Sequence, residues 1–212
     1  MNRSFVRGTL AALAVLAAAG GAAAQEASPG MRIHILPSIG RVGGQLVGAI
    51  DSPEGRAEVK HSPTTTLGLA VEATTPIRWL DVRLGASYTK PQASLGQGSV
   101  YRTSVQSLTL DAVVRGPKVL EARPYALVGA GLVRYDFKQS YYDASNELPV
   151  DDNVVPAFHL GAGLSWNVGR YDLFLEGGGL FARPFDQDPD TRFTREPLTG
   201  GYFSVGARIP IN

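Results

Sequence analysis

The last dozen residues of the chain, GYFSVGARIPIN, place Phe203, Val205, Ala207, Ile209 and Ile211 on one parity and Ser204, Gly206, Arg208 and Pro210 on the other. A two-residue period is that of a strand with one apolar and one polar face. Seven further stretches share it, and the set predicts eight strands: Met31 to Arg41, Thr64 to Thr74, Arg78 to Tyr88, Tyr101 to Val114, Pro124 to Asp136, Val155 to Val168, Tyr171 to Phe181 and Gly201 to Ile211. Each is near the roughly nine to eleven residues that cross a bilayer when tilted.

The connections alternate in length. Long polar segments run from Val42 to Pro63, Thr89 to Val100, Phe137 to Val154 and Ala182 to Gly200, and short turns fall at Thr75-Pro76-Ile77, Arg115 to Arg123 and Gly169-Arg170. Long connections at one end and short ones at the other predict an all-β, eight-stranded antiparallel up-and-down transmembrane β-barrel, with both termini on the short-turn side. Pro37 and Pro210 fall inside the first and last strands, which must meet to close the barrel. A missing N–H there either weakens the seam or marks the end of each strand.

Alternation alone also fits a soluble barrel, so side-chain type decides which face meets lipid. In the third strand Leu80, Val82, Leu84, Ala86 and Tyr88 oppose Asp81, Arg83, Gly85 and Ser87. In the sixth, Phe158, Leu160, Ala162, Leu164 and Trp166 oppose His159, Gly161, Gly163, Ser165 and Asn167. The polar face is rich in glycine, as a crowded interior is. A soluble exterior would favour lysine, yet Lys60, Lys90, Lys118 and Lys138 lie in loops or at strand ends. Aromatic residues fall at strand ends as interfacial bands would: Trp79, Tyr125, Trp166 and Tyr171 at one end, Tyr88, Tyr101, Tyr135, Phe158, Phe181 and Tyr202 at the other.

The beginning of the chain agrees with export. Arg3 and Arg7 precede an apolar run from Leu10 to Ala19 and the small residues Gly20 to Ala24, the pattern of a signal peptide over residues 1–24. The run is too short for a retained helical anchor. Removing 24 residues from 212 leaves 188, residues 25–212, which predict one barrel domain; because the removed segment holds two arginines and no acid, the net charge falls from +1 to −1. No basic excess points to nucleic acid. The absence of cysteine excludes disulfides, thiolate chemistry and a lipid-anchored amino terminus.

Ser204, Gly206, Ile209 and Ile211 resemble the carboxy-terminal pattern, polar-x-Gly-x-x-apolar-x-apolar, by which assembly machinery recognises outer-membrane barrels. PYALVGAGL (Pro124 to Leu132) and DLFLEGGG (Asp172 to Gly179) likewise resemble strands of small OmpA- and OmpX-type barrel domains of Gram-negative bacteria. The pattern departs from the family at its end, Ile211-Asn212, where an aromatic residue is usual. The resemblance implies an outer-membrane location, contact with lipid and lipopolysaccharide, recognition of the last strand by the barrel assembly machinery, and a monomer.

Candidate chemistry is sparse. Glu72, Asp81, Arg83, Asp111, Glu176 and Arg208 fall on inner faces, where charges must pair to be tolerated. Their expected role is a polar plug; the alternative is a gate in a narrow porin-like channel for ions or small solutes. A lipid A-modifying enzyme, which some small barrels of this resemblance are, would need a clustered nucleophile, base and acid. His34 shares its face with Arg32, His61 lies in a loop, and His159 is followed on its face by Gly161 rather than serine, so no triad spacing is present and no catalytic residue is expected. Asp143, Glu147, Asp151 and Asp152, and the alternating Asp186, Asp188 and Asp190, offer oxygen ligands, but the second run lacks the glycine and distal glutamate of a calcium loop. They read as solvated loops, and neither metal nor cofactor is expected. A structural or surface-interaction role through the long loops remains, with no feature that identifies a ligand.

Overall fold

The computed structural model describes residues 31–43, 46–52, 55–95, 99–138, 153–182, 193–195 and 198–211. The expected signal peptide over residues 1–24 and the acidic runs at Asp143 to Asp152 and Asp186 to Asp190 lie outside the described residues.

Among the described residues twelve strands follow in chain order: β1 (Ile33–Val42), β2 (Leu46–Ser52), β3 (Gly55–His61), β4 (Thr64–Thr74), β5 (Leu80–Thr89), β6 (Gln92–Leu95), β7 (Ser99–Arg115), β8 (Ala122–Lys138), β9 (Asn153–Val168), β10 (Tyr171–Ala182), β11 (Phe193–Arg195) and β12 (Leu198–Ile211). Eight of them, β1, β4, β5, β7, β8, β9, β10 and β12, pair antiparallel in a ring. The ring closes because β12 pairs with β1 and β7 with β8. These are the eight strands read from the sequence, with ends moved by a few residues.

The long connections are not all irregular. β2 and β3 form a hairpin inside the first, β6 folds back on the start of β7 in the second, and β11 lies in the last. They add side by side, in the order β11-β2-β3-β6-β7, so the wall continues beyond the barrel as a small sheet at the long-loop end. These strands lie in segments whose polar composition shows no sustained two-residue alternation, the signal by which a strand is read from sequence.

At the short-turn end, β9 and β10 are joined by Gly169 and Arg170 alone, with Val168 paired to Tyr171. Gly169 has φ +68°, the left-handed first position that a tight hairpin of this kind takes from glycine. The turn between β7 and β8 instead puts Leu120 and Glu121 at positive φ, 48° and 66°.

Both strands run through their prolines. β1 pairs without a break to β4, Pro37 lying opposite Leu69. On the other side its register with β12 skips Leu36 and Pro37, resuming at Ser38 opposite Gly206. The seam is therefore interrupted rather than ended. It is also close: a Cβ on Gly206 would lie 2.4 Å from the Pro37 carbonyl oxygen and 2.5 Å from the Phe174 ring. Only glycine lets the two backbones approach this far.

The faces separate as the side chains require. Ile39, Leu67, Val82, Leu108, Leu160 and Phe203 are exposed on the outer wall, and Leu110 is 58 % exposed there, whereas Glu72 is 0 % exposed inside. Trp79, Tyr171, Phe158 and Phe181 lie outward near the strand ends. Tyr125 and Tyr202, expected in the aromatic bands, point inward instead, on the parities of buried Leu127 and Ser204. The inner faces at these places accept a ring because the strand opposite supplies glycine. A Cβ on Gly163 would lie 2.4 Å from the Tyr125 ring, and one on Gly161 would lie 2.7 Å from the Tyr202 hydroxyl.

Candidate functional site

All six inward charges read from the sequence reach the bore, and Glu72 stands at their centre. Its Oε2 accepts from Nε and Nη2 of Arg83 at 3.1 and 3.0 Å. Its Oε1 accepts from Nε of Arg208 at 2.8 Å and from Nη2 of Arg115. One carboxylate on β4 thus binds guanidinium groups from β5, β7 and β12. Arg115 also donates to Asp81, and Arg208 to Asp172 at 3.2 Å.

A second bridge crosses the barrel. Arg83 donates from Nη1 to Glu176 on β10 at 2.5 Å, and Glu176 also accepts from the Tyr125 and Tyr202 hydroxyls at 2.9 Å each. The Arg83 guanidinium carbon lies 5.5 Å from the centre of the Tyr125 ring and 5.9 Å from that of Phe174, distances at which a cation is attracted to the ring faces. Leu36, Val113, Tyr125, Leu127 and Phe174 form a buried apolar cluster beside this belt. Charges taken out of water are tolerated only when their donors and acceptors are nearly all used, and this network meets that demand.

The network continues toward the long-loop end. His159 places Nε2 2.8 Å from the Tyr202 hydroxyl and Nδ1 2.8 Å from Asp111, which also accepts from Thr109 at 3.0 Å. Asp111 fits because its neighbour on β8 is Gly129, where a Cβ would meet the carboxylate at 2.1 Å. Asp111, His159 and Tyr202 come from three strands, so folding builds an acid–imidazole–hydroxyl chain that spacing along the sequence does not show. The hydroxyl is a tyrosine's and already donates to Glu176, which leaves no free nucleophile on that chain. Among the described residues, no group of three or more metal-ligating side chains converges.

Beyond the belt the bore opens into a hollow of about 150 Å³. Ser38, Thr66, Ser87, Ser107 and Ser204 line it with apolar neighbours, and Arg83 and Glu176 form part of its wall. Along the axis the lumen therefore passes from arginines at the short-turn end, through the paired charges of the belt, to a vestibule that Arg83, Asp111 and Glu176 border and that hydroxyls and apolar side chains otherwise line.

Arg115, Asp172, Tyr125, Tyr202 and Thr109 are network members that the sequence reading does not assign. Asp172 shares the parity of Glu176, and Arg115 that of Asp111, so both are available to a stricter count. Arg115 falls in a turn by pattern, whereas β7 extends to include it. Parity places His159 in the lumen, but its two partners lie 48 and 43 residues away and only the closed ring reveals them.

No protein-family model matches the chain, and no curated protein matches it. Solved structures do. The Neisserial surface protein A is 12% identical, with a TM-score of 0.55 over 85% of this chain and 97% of that one. The outer membrane protein AlkL, solved in lipid bilayers, is 17% identical, with a TM-score of 0.58 over 88% and 93%. A major outer membrane protein from Thermus thermophilus is 16% identical, with a TM-score of 0.51 over 86% and 100%. At such identities the fold is what is shared: the chain has the eight-stranded barrel fold of these small outer-membrane proteins.

Proposed function

We propose that this chain is an integral barrel of the bacterial outer membrane, a monomer of the OmpA/OmpX type that is exported with cleavage of its first 24 residues and has a closed lumen and no catalytic role. The carrying observation is the inverted distribution of side chains: leucines, valines and phenylalanines cover the outside while acids and arginines are buried within. A water-soluble protein of this size does not expose a continuous apolar band around its whole girth, whereas a chain in hydrocarbon must. The outer-membrane and surface names of its structural neighbours support the same reading. The short turns then face the periplasm and the β2–β3–β6–β11 extension faces outward among lipopolysaccharide. β12 is the strand offered to the barrel assembly machinery, and the extension is the surface on which any external interaction falls.

The belt from Asp172 to Glu176 supports a plug. Cell fractionation combined with gel mobility before and after heating tests the reading: the protein should sediment with outer membranes and migrate faster when unheated. Recovery in the soluble periplasm, or mobility indifferent to heating, overturns it. The vestibule favours a narrow channel as second reading, with the Arg83–Glu176 bridge as the barrier. Refolded protein in planar bilayers should show no steady conductance; reproducible channels altered by Arg83→Ala or Glu176→Ala would establish the channel in place of the plug.

A further inference from the structure

The short-turn mouth holds a set of cations that the belt leaves unused. Arg32 immediately precedes β1 and Arg123 stands at the start of β8, both on the inward parity of their strands. Arg78 comes from the turn between β4 and β5, and Arg170 from the turn between β9 and β10. Two adjoining hollows of about 330 and 340 Å³ open between them. Arg32, His34 and Arg208 line both; Arg78, Arg123, Arg115 and Asp81 belong to the larger and Arg170 and Asp172 to the smaller. Arg208 and Arg115 are committed to Glu72, Asp81 and Asp172. Arg32, Arg78, Arg123 and Arg170 are exposed, and among the described residues none has a carboxylate partner.

These groups are positioned by the wall. The Arg32 N–H donates to Thr74 Oγ1 at 2.8 Å and its carbonyl accepts from the Thr74 N–H at 2.9 Å, which fixes Arg32 against the end of β4. Arg123 pairs in register with Ser165, whose hydroxyl donates to its carbonyl at 3.3 Å. His34 is a second, independent sign. It is 6 % exposed on the wall of both hollows, and its Nδ1 is buried without a hydrogen-bond partner. Buried polar groups of a folded protein are ordinarily satisfied, so an imidazole nitrogen left unpaired on the wall of these hollows is short of one hydrogen-bond partner.

We propose that the short-turn mouth is a binding site for a phosphate-type oxyanion, held by Arg32, Arg78 and Arg123 with His34 on its wall. Guanidinium forks match oxyanions in pairs of parallel hydrogen bonds. Several converging forks favour a phosphate, which offers oxygens in several directions, over a carboxylate, which offers two. Like charges gathered at a low-dielectric mouth raise its potential and draw anions in. The phosphate can be the headgroup of a neighbouring anionic lipid or part of a free phosphorylated solute. The site rests on the closed ring alone and is independent of the compartment in which the barrel resides.

The test is calorimetric titration of the refolded full chain in zwitterionic detergent with pyrophosphate, at ionic strength held constant with sodium chloride. Saturable binding of one pyrophosphate per barrel is expected, weakened at least about tenfold in Arg32→Gln/Arg78→Gln/Arg123→Gln while heat-modifiable mobility is kept. Should the triple variant fail to fold, Arg78→Gln alone, in an exposed turn, should weaken binding several-fold. Heat indistinguishable from the chloride control, or equal affinity in the folded variants, overturns the site. Repeating the titration in nanodiscs separates the sources: competition by phosphatidylglycerol but not phosphatidylcholine identifies a lipid headgroup, and undiminished pyrophosphate affinity in both identifies a soluble phosphate.

Discussion

Glu72 is the residue on which the interior turns, since three arginines from three strands share its two oxygens. Glu72→Gln keeps the shape and removes the charge, leaving Arg83, Arg115 and Arg208 facing one another with less to bind. Breaking a buried ion pair costs about 3 to 5 kcal/mol, and the loss should appear as a lower urea midpoint for the refolded barrel. Because the cost is a cationic excess, adding Arg115→Gln should recover part of it; a strictly additive double variant would contradict a shared network. At this scale the sequence is legible by parity alone. Period two assigns Glu72, Arg83, Glu176 and Arg208 to one side of a wall, but it is silent on which charge meets which. The Arg83–Glu176 bridge joins residues 93 positions apart, a distance set by curvature of the ring and not by any local pattern.

Strands are legible where one face is apolar and the other is not. Alternation recovers β5 and β9 with their facing, from Val82 and Leu160 outward to Arg83 and His159 inward. It does not recover β2, β3, β6 and β11, which lie in segments without that alternation; β2–β3 and β6–β7 pair locally, whereas β3–β6 and β11–β2 pair across stretches that no local pattern links. Position on a strand also sets the cost of a charge. Leu110 lies outward on β7, level with Leu84 near the middle of β5. Leu110→Arg should lower stability in lipid vesicles by about 2 to 4 kcal/mol, while Leu120→Arg, in the turn between β7 and β8, should change it little. Equilibrium unfolding of both variants checks the facing, and similar losses at the two places would reverse it.

As a whole the barrel is graded along its axis: unpaired guanidinium groups at the short-turn mouth, a compensated belt inside, hydroxyls and apolar side chains in the vestibule. Buried pairs are screened little by salt, exposed like charges strongly. Raising sodium chloride from low to moderate concentration should therefore raise the unfolding midpoint slightly, by relieving the mouth and sparing the belt; a fall would mean that exposed pairs dominate instead. The closure of the ring carries a mechanical consequence. β12 is fastened to β10 by an unbroken ladder from Leu198 to Arg208, but to β1 by one that misses rungs at Leu36 and Pro37. Under tension applied to the carboxyl terminus, the cylinder should unroll from that join first, and β12 should come away from β1 while still riding on β10.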